Sequence, residues 1–326
     1  IIKNLNIRFI GSKNGIEATL FKKRSEKSHL IDIYGLKRSI DIKSIGYNLF
    51  IFPSKFFKSI IKVLKIYKNF KPDVVIGTGG YSSAIPLLVA FLKGIKIIIQ
   101  EQNSIPGLVN KFFMNKANKV CFGFEPNSIK NKNIIITGNP TVIKNEILDK
   151  TTSREHLKIK EMFTVFILGG SQGSVPLNNH FIKNYKKYLN MGIQLVWQCG
   201  EKNLNDIKNN IKDSNVHLFG FTDKMNYYYI ASDLVICRAG ALTLSELAIY
   251  NKASILIPFP FAAQNHQLKN AKYYQSYGAA EIVEQIFKDG IHILIEAQGH
   301  SAKNRLPIFM YKPAPIQASW LAQGST

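Results

Sequence analysis

Two doubly wound α/β domains, each a parallel sheet covered by helices on both faces, follow from three observations. Short β-branched apolar runs recur along the 326 residues, each ending in a polar or glycine-rich loop. The stretches between them carry helical patterns, and continuous apolar strands alternating with helices specify a parallel sheet. A polar segment without strand character, residues 144–160, interrupts the alternation near the middle. The length also suits two domains of ~150 residues better than one.

Taken in order, the strand candidates before the polar segment are residues 7–11 (IRFIG), 73–80 (DVVIGTGG), 95–103 (IKIIIQEQN), 120–124 (VCFGF) and 133–140 (NIIITGNP). After it come residues 164–173 (TVFILGGSQG), 193–200 (IQLVWQCG), 233–240 (DLVICRAG) and 253–260 (ASILIPFP). The expected organisation is a first domain over 1–143, a linker over 144–160, a second domain over 161–287 and an atypical tail over 288–326. In such sheets ligands bind beyond the carboxyl ends of the strands, so the loops after these runs are where function should lie.

Three cysteines (Cys121, Cys199 and Cys237), far apart and odd in number, fit neither a disulfide framework nor a zinc spacing. The chain reads as reduced and intracellular. No apolar run reaches the ~18 residues that span a bilayer, and no signal-peptide pattern is visible. The net charge of +22 comes from 43 Lys and Arg against 21 Asp and Glu. Up to Lys150 the counts are 25 against 9, and beyond it 18 against 12, so the first half carries most of the field. No nucleic-acid-binding motif accompanies this charge, which leaves nucleic acid with charge as its only support.

One basic stretch is more pointed. Within residues 45–70, Lys55, Lys58, Lys62, Lys65 and Lys68 recur at three- or four-residue intervals after Pro53. They are interleaved with Phe52, Phe56, Phe57, Ile60, Ile61 and Leu64. On a helix this makes a basic stripe beside an apolar one. It reads either as an ordinary amphipathic helix on its sheet or as a helix that meets anionic phospholipid, where each surface Lys contributes ~1 kcal/mol.

Four loops carry candidate chemistry. After the strand candidate at 164–168, Gly169, Gly170, Ser171, Gln172 and Gly173 lead into a helix. Glycines permit close backbone approach and the helix start offers free N–H groups, a combination suited to phosphate or diphosphate and also required by plain turn geometry. Residues 237–246 (CRAGALTLSE) place Glu246 early in a helix, where a carboxylate can accept both hydroxyls of a ribose or simply complement the helix dipole. Residues 259–270 (FPFAAQNHQLKN) set amides after a strand, suited to sugar hydroxyls or to a helix cap. Residues 77–83 (GTGGYSS) pair with residues 100–111 (QEQNSIPGLVNK), where Glu101 and Asn103 sit at a strand end.

In this order and spacing the segments GTGGYSS, EQN..PG..NK, TGNP, GGSQG and the block over residues 221–280 resemble the MurG family of GT-B glycosyltransferases, across about residues 7–285. The resemblance implies two Rossmann-like domains with a cleft between them. It implies inverting transfer of N-acetylglucosamine (GlcNAc) from UDP-GlcNAc to undecaprenyl-pyrophosphoryl-MurNAc-pentapeptide, in peptidoglycan synthesis. Carried over position by position, Ser171, Gln172 and Gly173 would hold the donor diphosphate, and Thr222 would meet the uracil through its backbone. Ala241, Leu242, Thr243, Leu244, Ser245 and Glu246 would line the nucleotide site, with Glu246 on the ribose. Gln267 and Asn270 would hold the GlcNAc, and Asn103 would reach the sugar from the first domain. Glu101 is the carboxylate to test as general base. The basic apolar stretch falls where the family docks on the membrane, which nominates Phe52, Phe56, Phe57, Lys58, Ile61, Lys62 and Lys65 as membrane contacts. The implied location is peripheral, on the cytoplasmic face of the bacterial inner membrane. No cofactor is implied beyond a loosely held divalent cation on the diphosphate, and no protein metal site.

The sequence departs from the family in places. The family's first strand and glycine-rich loop, with a His proposed to act in catalysis, would precede Ile1. Gln100 stands where the family usually has His, and Thr141 and Val142 follow Pro140 where an Arg is usual. The tail from Asp289 is similar instead to a segment of bacterial SPINDLY-like homologues of protein O-GlcNAc transferase. Two rival functions therefore stand beside the first: another UDP-GlcNAc transferase of GT-B fold, or an inactive module that binds a sugar nucleotide.

Overall fold

The apolar runs form parallel strands throughout. A computed structural model describes residues 5–15, 17–23, 27–33, 52–126, 129, 131–141, 148–170 and 172–282, with the backbone of 293–296 and 316–319. The chain divides into two units, Ile1–Asn139 and Pro140–Thr326.

In the first unit, β1 (Phe9–Ser12) and β2 (Ser28–Ile31) pair in parallel. A separate four-stranded parallel sheet has the order β3 (Val74–Gly77), β4 (Lys96–Glu101), β5 (Lys119–Phe122) and β6 (Ile134–Ile136). Among the described residues, four helices accompany them: α1 (Glu17–Leu20), α2 (Phe52–Phe70), α3 (Ala84–Leu92) and α4 (Leu108–Phe113). Val63, Ile66 and Tyr67 of α2 and Ile85, Leu87 and Val89 of α3 close over Ile97, Ile99 and Phe122 of the sheet.

The second unit is one six-stranded parallel sheet. Its strands in chain order are β7 (Phe163–Leu168), β8 (Ile193–Gln198), β9 (Val216–Phe219), β10 (Leu234–Cys237), β11 (Ser254–Leu256) and β12 (Ala280–Ile282). In space they run β12-β11-β10-β7-β8-β9, so the winding reverses between β7 and β10. The helices are α5 (Lys150–Leu157), α6 (Val175–Asn190), α7 (Glu201–Asn210), α8 (Met225–Ala231), α9 (Ala241–Ile249) and α10 (His266–Ser276). All six residues of β8 are buried, and Trp197 packs with Leu177 and Phe181 of α6 and with Ile167. Beyond it, β13 (Ile293–Glu296) and β14 (Ile316–Ser319) form a further parallel pair.

The polar segment is not the linker that its composition suggests. The boundary lies at Asn139–Pro140, and the second half of 144–160 is α5. The Asp149 side chain caps α5 by accepting from the Thr152 amide at 2.7 Å, and Lys158 closes it in a left-handed conformation. Arg154 is buried and donates to Asp233 Oδ2 at 2.9 Å, to the Met162 carbonyl at 2.8 Å and to the Ala231 carbonyl at 3.2 Å. A helix held by one buried cation shows no apolar periodicity, so its pattern is silent.

Candidate active site

The reversal of winding places the loops after β7 and β10 side by side, where a doubly wound sheet opens its ligand crevice. The loop after β7 is shaped by close approach. Gly173 has φ 78°, and a Cβ there would lie 2.0 Å from the Cys199 carbonyl oxygen. Gly200, at φ 86°, would likewise bring a Cβ within 2.4 Å of the Gln172 carbonyl oxygen. The loops after β7 and β8 are thus locked together, with Gln172 exposed at the rim. Ser171 lies outside the described residues.

Ser174 is the N-cap of α6, yet its side chain makes no cap hydrogen bond. Its Oγ instead accepts from Arg238, from Nε at 3.1 Å and Nη2 at 3.0 Å. Arg238 also donates through Nη1 to the carbonyls of Ile257 (3.1 Å) and Pro258 (3.2 Å) and lies over the Phe259 ring. One guanidinium therefore joins the ends of β7, β10 and β11, and its burial lowers its pKa from the usual arginine value. The first turn of α6 keeps amides that its N-cap side chain does not use, at the positive end of the helix dipole.

Within α9, Ala241 and Leu244 are buried against the core, Leu242 is exposed, and Ser245 Oγ donates back to the Ala241 carbonyl at 3.1 Å. Thr243 and Glu246 are half-buried. Glu246 Oε2 accepts from the Tyr229 hydroxyl at 2.8 Å. Burial raises the Glu246 carboxyl above its ordinary pKa, and the Tyr229 hydrogen bond acts in the opposite sense. Thr222 stands just before α8, where its Oγ1 accepts from the Lys224 amide at 3.1 Å.

Beyond β11, Gln264 and Asn265 both adopt left-handed backbone (φ 56° and 55°), which sharply turns the chain into α10. Gln267 Oε1 accepts from the Phe259 amide at 2.8 Å, so this amide side chain holds the loop after β11. Asn270 is wholly buried one turn further on.

In the first unit the second carboxylate is more occupied than its sequence position suggests. Glu101 closes β4 and is only 3% exposed. Oε1 accepts from the Asn103 amide at 3.0 Å and from Asn103 Nδ2 at 3.2 Å. Oε2 accepts from the Gly107 amide at 3.0 Å and from Asn110 Nδ2 at 2.8 Å. The spacing EQN..PG..NK is thus a hydrogen-bonding unit, in which one carboxylate fixes the turn between β4 and α4. Both oxygens are engaged within the turn, so the Glu101 carboxylate is a structural anchor here and not the open group that the expectation of a general base describes. Asn139, from the TGNP segment, joins the same corner: it accepts from Gln100 Nε2 at 3.2 Å and donates to the Gln102 carbonyl at 3.0 Å.

On α2, Ser59, Val63, Ile66 and Tyr67 face inward. Phe57 (64% exposed) and Ile61 (66%) face outward, with Leu64 and the lysines 58, 62, 65 and 68. Phe56 packs against the core and Phe52 is half-buried, so these two of the nominated contacts do not belong to the outward stripe, and Leu64 does. Among the described residues, no helix is long and apolar enough to cross a membrane.

The sequence reading missed Tyr229 and the joining role of Arg238. Tyr229 is the last of three consecutive tyrosines (227–229), and nothing in such a run marks which ring turns inward. Ser174, directly after GGSQG, was the available signal for Arg238.

The glycosyltransferase family 28 N-terminal domain profile matches residues 2–122 and the family 28 C-terminal domain profile matches residues 164–318. The UDP-N-acetylglucosamine--N-acetylmuramyl-(pentapeptide) pyrophosphoryl-undecaprenol N-acetylglucosamine transferase of Flavobacterium psychrophilum is 37% identical over 276 residues, covering 82% of this chain and 73% of the relative. The chain belongs to the MurG family. The equivalent transferase of Christiangramia forsetii is 35% identical over 291 residues, covering 86% of this chain and 77% of that one. The crystal structure of Acinetobacter baumannii MurG superposes with a TM-score of 0.65 at 29% identity, over 84% of this chain and 76% of that one. The calicheamicin glycosyltransferase CalG4, at 9% identity and a TM-score of 0.61, shares the fold alone. Two Rossmann-like units of the GT-B class are therefore what the family match and the strand order both describe.

Proposed function

We propose that this chain transfers GlcNAc from UDP-GlcNAc to an undecaprenyl-pyrophosphoryl-linked MurNAc-pentapeptide, the lipid I to lipid II step of peptidoglycan synthesis. The observation that carries the reading is the placement of Glu246. It is a half-buried carboxylate with one oxygen held, on the helix that follows β10, the strand next to β7, in a chain of this family. The second oxygen and the open face of the group suit the two hydroxyls of the donor ribose. The uncapped amides of α6 suit the diphosphate, and stabilising the departing UDP there is the largest contribution the second unit can make to the reaction. Gln267 and Asn103, the latter held by Glu101, are assigned to the sugar; Asn270, wholly buried, has no exposed surface to offer it.

The outward face of α2 is assigned to the membrane that carries the acceptor, on its cytoplasmic side. Exposed Phe57, Ile61 and Leu64 would enter the headgroup boundary and the flanking lysines would meet anionic lipid. The test is transfer of radiolabelled GlcNAc to lipid I in detergent, with a peptide acceptor and UDP-glucose as controls. Labelled lipid II formed selectively from UDP-GlcNAc is the expected product. Transfer to the peptide, or donor binding without turnover, would overturn the assignment.

A further inference from the structure

Tyr229 is fully buried on α8, its ring stacked on Tyr250 at 5.2 Å and edge-on to Phe166 at 5.6 Å. Burial keeps its phenol protonated far above neutral pH, so the 2.8 Å contact with Glu246 Oε2 has one sense: the tyrosine donates and the carboxylate accepts. Among the described residues no donor reaches Oε1. The groups facing Glu246 are Tyr229 from α8, Cys237 from β10 and Tyr250 at the end of α9. None is a cation, and the Cys237 thiol is held neutral by burial.

We infer that Tyr229 is a positioning residue for donor binding, whose hydroxyl holds one oxygen of the Glu246 carboxylate and turns the other toward the ribose. The inference rests on the assignment of Glu246 to the ribose. Half-burial without a cationic partner favours the neutral acid, which accepts hydrogen bonds less well than the carboxylate. Among the described residues, a single phenolic donor opposes this shift. It also occupies one oxygen, so the hydroxyl pair of the ribose meets a carboxylate in a single orientation. The rigidity comes from the aromatic packing of α8, which has no other reason to aim a hydroxyl at α9.

The test is calorimetric titration of the full chain with UDP-GlcNAc between pH 5.5 and 8.5, for the wild type and Tyr229→Phe. That variant keeps the ring contacts and removes only the hydroxyl. Without the donor the Glu246 carboxyl titrates higher, so affinity in Tyr229→Phe should begin to fall at a higher pH than in the wild type as the solution is acidified. At the acid end of that range the loss should be about tenfold, the worth of one hydrogen bond to a charged group. With an analogue lacking both ribose hydroxyls the two proteins should bind alike. A uniform loss at every pH that persists with the analogue would mean a merely structural tyrosine and would overturn the inference. Glu246→Gln separates the underlying assignment: wild-type affinity in that variant removes the ribose role itself. Weak binding in Glu246→Gln with an unshifted profile in Tyr229→Phe removes only the role of Tyr229.

Discussion

Replacing Glu101 by Gln changes almost no volume and converts one carboxylate oxygen into an NH2 group. Four donors converge on the native carboxylate: the amides of Asn103 and Gly107 and the side-chain Nδ2 groups of Asn103 and Asn110, all within 3.2 Å. In the variant two of them face another donor. Leaving a buried donor unsatisfied costs about 1–3 kcal/mol, and the loss of charge adds to it, so the 102–110 turn should weaken by about 3 kcal/mol. Amide hydrogen exchange reads this directly: the Asn103 and Gly107 protons should exchange roughly 100-fold faster, while the strands of the second unit keep their protection. Transfer should slow because Asn103 is no longer held, and its dependence on pH should keep the wild-type shape. The reasoning would be refuted by exchange within about twofold of wild type combined with a rate loss of about a thousandfold and disappearance of a limb of the pH profile. Those are the marks of a lost general base.

Two further outcomes are expected. Arg154→Met should lower the stability of the second unit by about 2–3 kcal/mol in urea unfolding, because two carbonyls and Asp233 lose a buried cation while Asp233 keeps its pairing with Lys150 and its bond from the Thr164 amide; the bridge to Glu161, which is 64% exposed, adds little, and a loss below about 1 kcal/mol would contradict the anchoring role of α5. The triple variant Phe57→Ser, Ile61→Ser, Leu64→Ser should bind vesicles rich in phosphatidylglycerol at least about thirtyfold more weakly, ~2 kcal/mol of lost apolar burial, and unchanged sedimentation with vesicles would remove α2 as the docking face.

Much of this molecule is legible in its residues because burial in a parallel sheet leaves a local mark. Nine apolar runs were read as strands, and each overlaps one; β7 and β8 are so apolar because helices cover both their faces. The glycines of residues 169–173 and the carboxylate of Glu246 are readable for the same reason, since turn geometry and a charge in a helical pattern show in sequence. Other elements leave no such mark. The strands β2, β9 and β12 are three or four residues long and carry His29, His217 and Glu281 among their apolar positions, too short for alternation to stand out. The helix α5 depends on a buried ion pair rather than an apolar face. What packing alone decides is partnership. Whether Glu101 accepts four donors or remains open, whether Arg238 meets Ser174, and which of three tyrosines reaches Glu246 all depend on atoms up to 64 residues apart arriving within about 3 Å. Periodicity records which side of an element is buried, and hydrogen-bond chemistry at the site depends on which neighbour is there when it is.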